Sequence, residues 1–371
     1  MLKPKVCQVS SVHFALDTRI FYRLAQSLKK DYDVTVIGVH PRKEFVDGVE
    51  IIPFRRFKNK MLRVAITWLL ILRKCLKQKA DIYQIHDPEL LPTVLLLRLF
   101  RKKVVYDVHE NIADDIFDKP WIKNKKLLYK FFNFFEKRVA SCCPIFIAED
   151  SYLPRYESMT SNVHVVHNYP DVDFFNAYLN EERTGEIRVF YCGILLFSRS
   201  IMEIIEAIYL LQKKDIFVHF DVVGELYTDM DEAIDNLKYI KNVKPYIHFH
   251  GRLPLYEGYE ISRKASIGMS LIHPMKNSME SYPTKMFEYM CIGLPQIASH
   301  FPLYKSVVED HECGLCCDPT DAEVIAKNIE NYLTNDALYR AHAKNAIENA
   351  HKYSWSTEME NVNRVYEALL K

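Results

Sequence analysis

One segment brings together more residues able to do chemistry than any other: MESYPTKMFEYMCIGLPQIAS, residues 279–299. Glu280 and Glu288 stand with seven residues between them. Pro283 and Thr284 make a helix start, Gly293 suits the position just past a helix end, and Pro295 follows the stop. A short helix from about Thr284 to Ile292 is therefore expected. Its first turn aims unpaired N–H groups and the positive end of the helix dipole outward, a setting that suits a diphosphate. Lys285 falls in that first turn, where a cation opposes the dipole unless an anion sits there too. Glu288, one turn further, is placed to accept hydrogen bonds from ribose hydroxyls, and Glu280, ahead of the helix, is within reach of a sugar. The competing reading, two solvated acids flanking a surface helix, loses to the phrase around them.

Three histidines lie at the ends of expected strands, each with acids nearby: His13 with Asp17, His86 with Asp87 and Glu89, and His109 with Asp107 and Glu110. An isolated histidine is more often a core residue hydrogen-bonded to backbone, but strand ends are where α/β sheets bind ligands. Asp229 and Asp231 form a D-x-D that reads as acids in the first turn of a helix rather than a metal site. Cys313 and Cys316 have metal-ligand spacing beside Cys317, yet no second Cys/His pair completes a zinc site. No metal and no cofactor are expected.

These residues must be positioned by short β-branched runs alternating with helical patterns, the rhythm of βαβ units and parallel sheets. KVCQVSSV, DVTVIGV, EIIPF, DIYQIH, KVVYDVH and PIFIAE supply six strands in the first half; IRVFYCG, FVHFDVVG, YIHFHG, SIGMSLI, PQIAS and GLCCD supply six in the second. Helices such as KLLYKFFNFFEKRVA and SIMEIIEAIYLLQKK lie between them. The fold class is α/β, with one Rossmann-like domain over residues 1–170, a polar linker over 171–186 and a second such domain over 187–352. An amphipathic helix over 353–371 closes the chain. The cleft between the domains is the default site.

A chain of 371 residues and 43.7 kDa fits two domains, since single cores stop growing near about 300 residues. Hydrophobic residues at 49% and charged residues at 26% exclude a disordered chain, a collagen and a coiled coil. Ten glycines leave few places where backbone can approach a ligand. The nine cysteines cannot all pair and the N-terminus lacks an apolar signal region, so a reducing, cytoplasmic setting is expected. Net charge is +1, but residues 1–170 hold 29 Lys/Arg against 18 Asp/Glu and residues 171–371 hold 20 against 30. Nine of the cations, and no acid, lie between Ile51 and Ala80. The stretch from Arg55 to Lys79 surrounds VAITWLLIL, so it reads either as a core helix or as an interfacial helix, with Trp68, Leu69 and Leu70, on the inner face of the plasma membrane.

The phrase PTKMFEYMCIGLPQIAS, with its E-x7-E spacing, resembles the retaining family 4 glycosyltransferases of the GT-B fold, of bacterial surface-polysaccharide type. CGILLFSRS, HFHGRLPLYEGYEISRKASIGMSLI and ECGLCCDPTDAEVIAKNIENYL match further stretches in order, and the likeness covers essentially the whole chain. It implies that Glu280 faces the donor sugar, that Glu288 binds the ribose, and that Gly193, Pro283, Thr284 and Lys285 line the donor site. Arg199 and Lys285 meet the leaving diphosphate, and Ile194 replaces a usual arginine. His109 takes the position whose imidazole contacts the donor sugar; His13, Asp17, His86 and Asp87 shape the acceptor side. The last helix crosses back to the first domain. The first loop, SSVHFALDTR, lacks the glycines many relatives carry there. Implied is metal-independent transfer of a sugar, with retention, from a nucleoside diphosphate sugar to an acceptor hydroxyl on a saccharide or lipid-linked saccharide. Nucleic acid is not an expected partner. The alternatives are a GT-B nucleotide-sugar epimerase or hydrolase, and a non-catalytic membrane-associated partner in polysaccharide assembly.

Overall fold

A computed structural model describes residues 3–109, 116, 124–180, 186–226 and 229–371, without the side chains of residues 60, 61, 62, 64, 276 and 277. Glu110 lies outside the described residues. The chain divides into two compact units, residues 1–168 with 355–371, and residues 169–354.

The first unit is built on an eight-stranded sheet in the order β3-β4-β2-β1-β5-β6-β7-β8. Its strands are β1 (Lys5–Phe14), β2 (Asp33–Val39), β3 (Glu44–Val46), β4 (Val49–Phe54), β5 (Ile82–Ile85), β6 (Lys103–Val108), β7 (Ile145–Ile147) and β8 (Val163–Val165). All pairings are parallel except β3 with β4, a hairpin on the edge. Helices cover both faces, so the central strands are buried on both sides, which is why they read as unbroken apolar runs rather than alternating ones. On one face lie α1 (Lys60–Gln78), α2 (Leu91–Leu99) and α3 (Lys125–Ala140), with Ile71, Leu72, Val94, Leu97 and Val139 in a shared core. Much of the apolar run of α1 thus turns inward: Trp68 and Leu70 pack on that core, while among its described side chains Ala65, Ile66 and Leu69 are exposed. This differs from the expectation of Trp68, Leu69 and Leu70 laid together on a membrane.

The second unit has a six-stranded, wholly parallel sheet in the order β11-β10-β9-β12-β13-β14. The strands are β9 (Ile187–Cys192), β10 (Val218–Val223), β11 (Ile247–Gly251), β12 (Ile267–Ser270), β13 (Gln296–Ser299) and β14 (Gly314–Cys317). Helix α4 (Ile201–Gln212) buries Ile201, Ile204, Ile205, Ile208 and Leu211 against it, and α5 (Thr284–Cys291) is buried almost throughout. The segment expected as a linker belongs in part to this unit, since Phe175 of the helical turn Val172–Phe175 is buried in its core. Helix α6 (Trp355–Leu370) closes the first unit, its Trp355, Val362 and Tyr366 packed with Val6, Leu24 and Phe146.

Each sheet has one point where the strand order reverses direction: between β1 and β5 in the first, and between β9 and β12 in the second. The crevice beyond the carboxyl ends of such strands is where open α/β sheets bind ligands. Mixed α/β architecture with two parallel-sheet Rossmann-like units is the GT-B arrangement that the sequence led us to expect.

Candidate functional site

In the second unit the chain leaves β9 through Gly193, whose φ of +143° suits glycine, and its N–H donates to Val223 O across 2.9 Å. Gly224, with φ of +151°, passes so close that a Cβ there would lie 1.8 Å from Gly193 O. This loop continues into a helical turn, Phe197–Arg199, and then into α4, with Ser200 in the left-handed region at φ 55°. The Ser200 hydroxyl is buried and unpartnered. The chain leaving β12 reaches back to the same turn: His273 N–H donates to Ser198 O at 2.8 Å, and the His273 ring pairs with Glu203 of α4 at 3.0 Å. Ile194, in place of the arginine of the motif, is an exposed apolar side chain.

Lys285 lies in the first turn of α5 and is only 7% exposed. Its Nζ sits 3.4 Å from the centre of the Tyr191 ring and would be 3.3 Å from a Cβ on Gly193. Burial pushes its pKa well down, and the nearby Arg199 charge pushes it further. Among the described residues no ion pair with an acid holds this ammonium; a cation–π contact with Tyr191 does that work. Glu288, one turn on, is buried and accepts a short hydrogen bond from the Tyr259 hydroxyl. Electrostatic contact links Lys285 with Arg199, Cys192 and Glu288, so four of the expected donor-side residues, Gly193, Arg199, Lys285 and Glu288, share one locality. Pro283 precedes α5 with no side chain capping its first turn, and Thr284 is half-buried there. Glu280 is different: it ends the helical turn Lys276–Met279 and is exposed.

The first unit holds a pocket of about 240 Å³ beyond β1, β5 and β6, whose lining includes His13, His86, His109, Asp87, Arg56 and Arg63. Asp87 serves mainly to fasten the end of β1 that carries His13: it accepts from Ser10 Oγ at 2.8 Å and Val12 N at 3.1 Å, and its other oxygen stands 3.5 Å from His13 Nε2. Asp17 caps the helical turn Thr18–Ala25 through Arg19 N and Ile20 N, and lies 3.9 Å from His13 Nδ1. Capping is a structural role.

Behind the pocket runs a buried polar network that sequence reasoning did not find. Arg19 grips Asp107 with two guanidinium nitrogens, at 2.8 and 3.3 Å, while Gln84 Nε2 donates to the same carboxylate at 2.7 Å. Burial opposes ionisation of Asp107, but Arg19 and the flanking histidines outweigh it and hold the carboxyl well below its usual range. Burial pushes His109 well below the usual imidazole range despite the pull of Asp107, so its ring is neutral near pH 7. The tautomers follow from the partners. Gln8 Nε2 donates to the Tyr366 hydroxyl (3.1 Å), so Gln8 Oε1 faces His86 Nε2 (2.7 Å), which must carry a hydrogen. His86 Nδ1 stands 2.8 Å from His109 Nε2 and 3.3 Å from Asp107 Oδ2, so the second histidine nitrogen faces both the carboxylate and its neighbouring ring. His86, Asp107 and His109 offer atoms within 4.8 Å of one another, near enough for a metal ion, but Arg19 already neutralises the one carboxylate. Arg19 and Asp107 both fall in the stretches that drew attention to His13 and His109; only the fold reveals that they meet.

Two family models match, Glycosyl transferases group 1 over residues 179–353 and Glycosyltransferase Family 4 over residues 18–174. Among curated proteins, the phosphatidyl-myo-inositol mannosyltransferase of Mycolicibacterium smegmatis is 29% identical over 90 residues, 24% of this chain and 23% of that protein. The chain thus aligns with less than a quarter of this relative's length. Among solved structures, a glycosyltransferase from Rickettsia africae covers 100% of this chain and 99% of its own at TM-score 0.75 and 14% identity. Anabaena Alr3699/HepE in complex with UDP-glucose covers 98% and 99% at TM-score 0.72 and 13% identity. With one model on each half and the GT-B fold in both units, the chain belongs to the family 4 glycosyltransferases.

Proposed function

We propose that the protein transfers a glycosyl group from a nucleoside diphosphate sugar to an acceptor hydroxyl, with retention and without a metal. The observation that carries this is Lys285: a buried ammonium, next to Arg199 and unpaired with an acid, at the open end of the second sheet's reversal point. Two neighbouring cations with no acid paired to the lysine and one carboxylate, Glu288, nearby are short of counter-charge, and a diphosphate supplies it. In the reaction the bond between the sugar's anomeric carbon and the diphosphate oxygen breaks, with the electron pair leaving on oxygen. The acceptor oxygen bonds to that carbon on the same face, and its proton passes to the departing diphosphate. Arg199, Lys285 and the α5 N-terminus stabilise the charge that grows on the leaving group, which lowers the barrier without a metal. Glu288 holds the ribose, Gly193, Pro283 and Thr284 line the donor, and Glu280 meets the sugar.

The first unit supplies His109, whose neutral ring accepts from a sugar hydroxyl, and the acceptor pocket at His13, His86 and Asp87. A lipid-linked saccharide in surface-polysaccharide assembly fits the basic first half. The test is thermal melting against a panel of nucleoside diphosphates and their sugars, followed by product analysis with and without acceptor. Stabilisation by a nucleoside diphosphate and acceptor-dependent turnover are expected. Donor turnover without acceptor would favour an epimerase or hydrolase, and absence of nucleotide binding would overturn the assignment.

A further inference from the structure

Helix α3 has two apolar stripes, although it has one core to face. Phe132, Phe135 and Val139 pack inward. Leu127, Phe131 and Phe134 point the other way and are 62%, 59% and 54% exposed, with Leu128 beside them. A helix on the surface of a soluble domain is normally polar on that outer side. The charged residues exposed along α3 are Lys126, Lys130, Lys137 and Arg138, all basic. Its single acid, Glu136, is turned inward and buried, held by Arg155 and by the Tyr156 hydroxyl at 2.5 Å. Arg138 lies over the Phe134 ring at 5.2 Å. The neighbouring α2 ends in Leu99, which is 74% exposed, and Phe100, followed by Arg101 and Lys102.

Among the described residues of α2 and α3, the surface is therefore an apolar centre whose exposed charges are all cations, over a helix about 24 Å long. A second copy of the chain would bring like charge against like. A nucleic acid would leave the leucines and phenylalanines without apolar contact. A lipid surface satisfies both sets of groups, with acyl chains for Leu127, Phe131 and Phe134, and anionic headgroups for the lysines, whose stems reach up past the apolar ones. We infer that the outer face of α3 docks the protein on a bilayer rich in anionic lipid. This contact is separate from α1, whose apolar run is largely spent on the core, and it does not depend on the catalytic reading. No helix among the described residues is long and apolar enough to cross a membrane, so the contact is peripheral.

The test is sedimentation with vesicles of phosphatidylcholine containing one-third phosphatidylglycerol, and with pure phosphatidylcholine, in low salt. Wild type should pellet with the first and stay free of the second. Phe131→Ser with Phe134→Ser, and separately Lys126→Glu with Lys130→Glu, should each lower partitioning at least tenfold. Both pairs are exposed, so melting temperature and turnover of a water-soluble acceptor should stay as in wild type. Arg73→Glu with Lys77→Glu on α1 should have the smaller effect. Absence of vesicle binding by wild type, or loss confined to the α1 pair, would overturn the inference. So would a lipid-free dimer that the Phe131→Ser/Phe134→Ser pair dissolves, since a second copy would then be the occupant.

Discussion

Replacing Lys285 by methionine should push stability and activity in opposite directions. The side chain is 7% exposed, its ammonium is disfavoured first by burial and then by Arg199, and an aromatic ring in contact with a weaker pull from Cys192 and Glu288 stands against that. Methionine keeps the packed stem and removes the charge. Exchanging a buried, poorly paired charge for an apolar side chain of like volume stabilises by about 1–3 kcal/mol. For a unit of this size that is roughly 3–8 °C in melting temperature. In the loaded enzyme the same lysine makes a charge-assisted contact with the diphosphate, and its loss costs about 1.5–3 kcal/mol, or roughly 10- to 150-fold in kcat/KM. The assay is a melt of Lys285→Met with and without saturating nucleoside diphosphate, paired with initial rates. The variant should melt higher when empty, gain less from nucleotide, and turn over slowly. A variant that melts lower when empty and binds nucleotide as tightly as wild type would refute the argument that the site is short of an anion.

His167 bridges Asp150 and Glu358, at 3.1 Å each; burial works against its charge, but the two carboxylates outweigh it and raise the pKa to about 9. A raised pKa contributes stability that is complete below the unfolded value of about 6.5 and is lost as pH rises through 9, here about 2–3 kcal/mol. Denaturant midpoints should fall between pH 7 and 9.5 in wild type and stay flat in His167→Gln; equal slopes would dismiss the bridge. Gln8→Leu should release His86 Nε2, so 15N spectra should show His86 carrying its Nε2 hydrogen in wild type and as a mixture of forms in the variant. The opposite tautomer in wild type would overturn the assignment. Gly224→Ala forces a methyl onto Gly193 O and should cost about 3 kcal/mol together with nucleotide binding; an unchanged melt with retained binding would show that the loop yields.

Twelve strands were legible, most of them because two-sided burial makes a compact apolar run, as in VTVIGV of β2 or KVVYDV of β6. Glu44–Val46 and Val163–Val165 escaped because three residues cannot display a period, and their pairing is decided by neighbours. The donor-side group was legible through local order, since Pro283, Lys285, Glu288 and Gly293 sit on one helix and its ends. The buried burden of Lys285 was not, because Tyr191 and Arg199 come from another βα unit. Long-range polar partners were invisible for the same reason: nothing in Gln8, Gln84 or Tyr366 marks them as one network. For α3 the letters KKLLYKFFNFFEKRVA place apolar residues all round, and only the fold decides which of them go unburied.

The hydrogen bond from Gln8 to Tyr366 joins positions 358 apart in the chain. During synthesis, therefore, the first unit begins earliest yet finishes last: β1 waits on the ribosome until α6 emerges, while all of the second unit between them has already been made. A released chain ending before Trp355 would hold all of the second unit and a first unit with Val6, Leu24 and Phe146 uncovered. Helix α6 thus seals the wall behind His109.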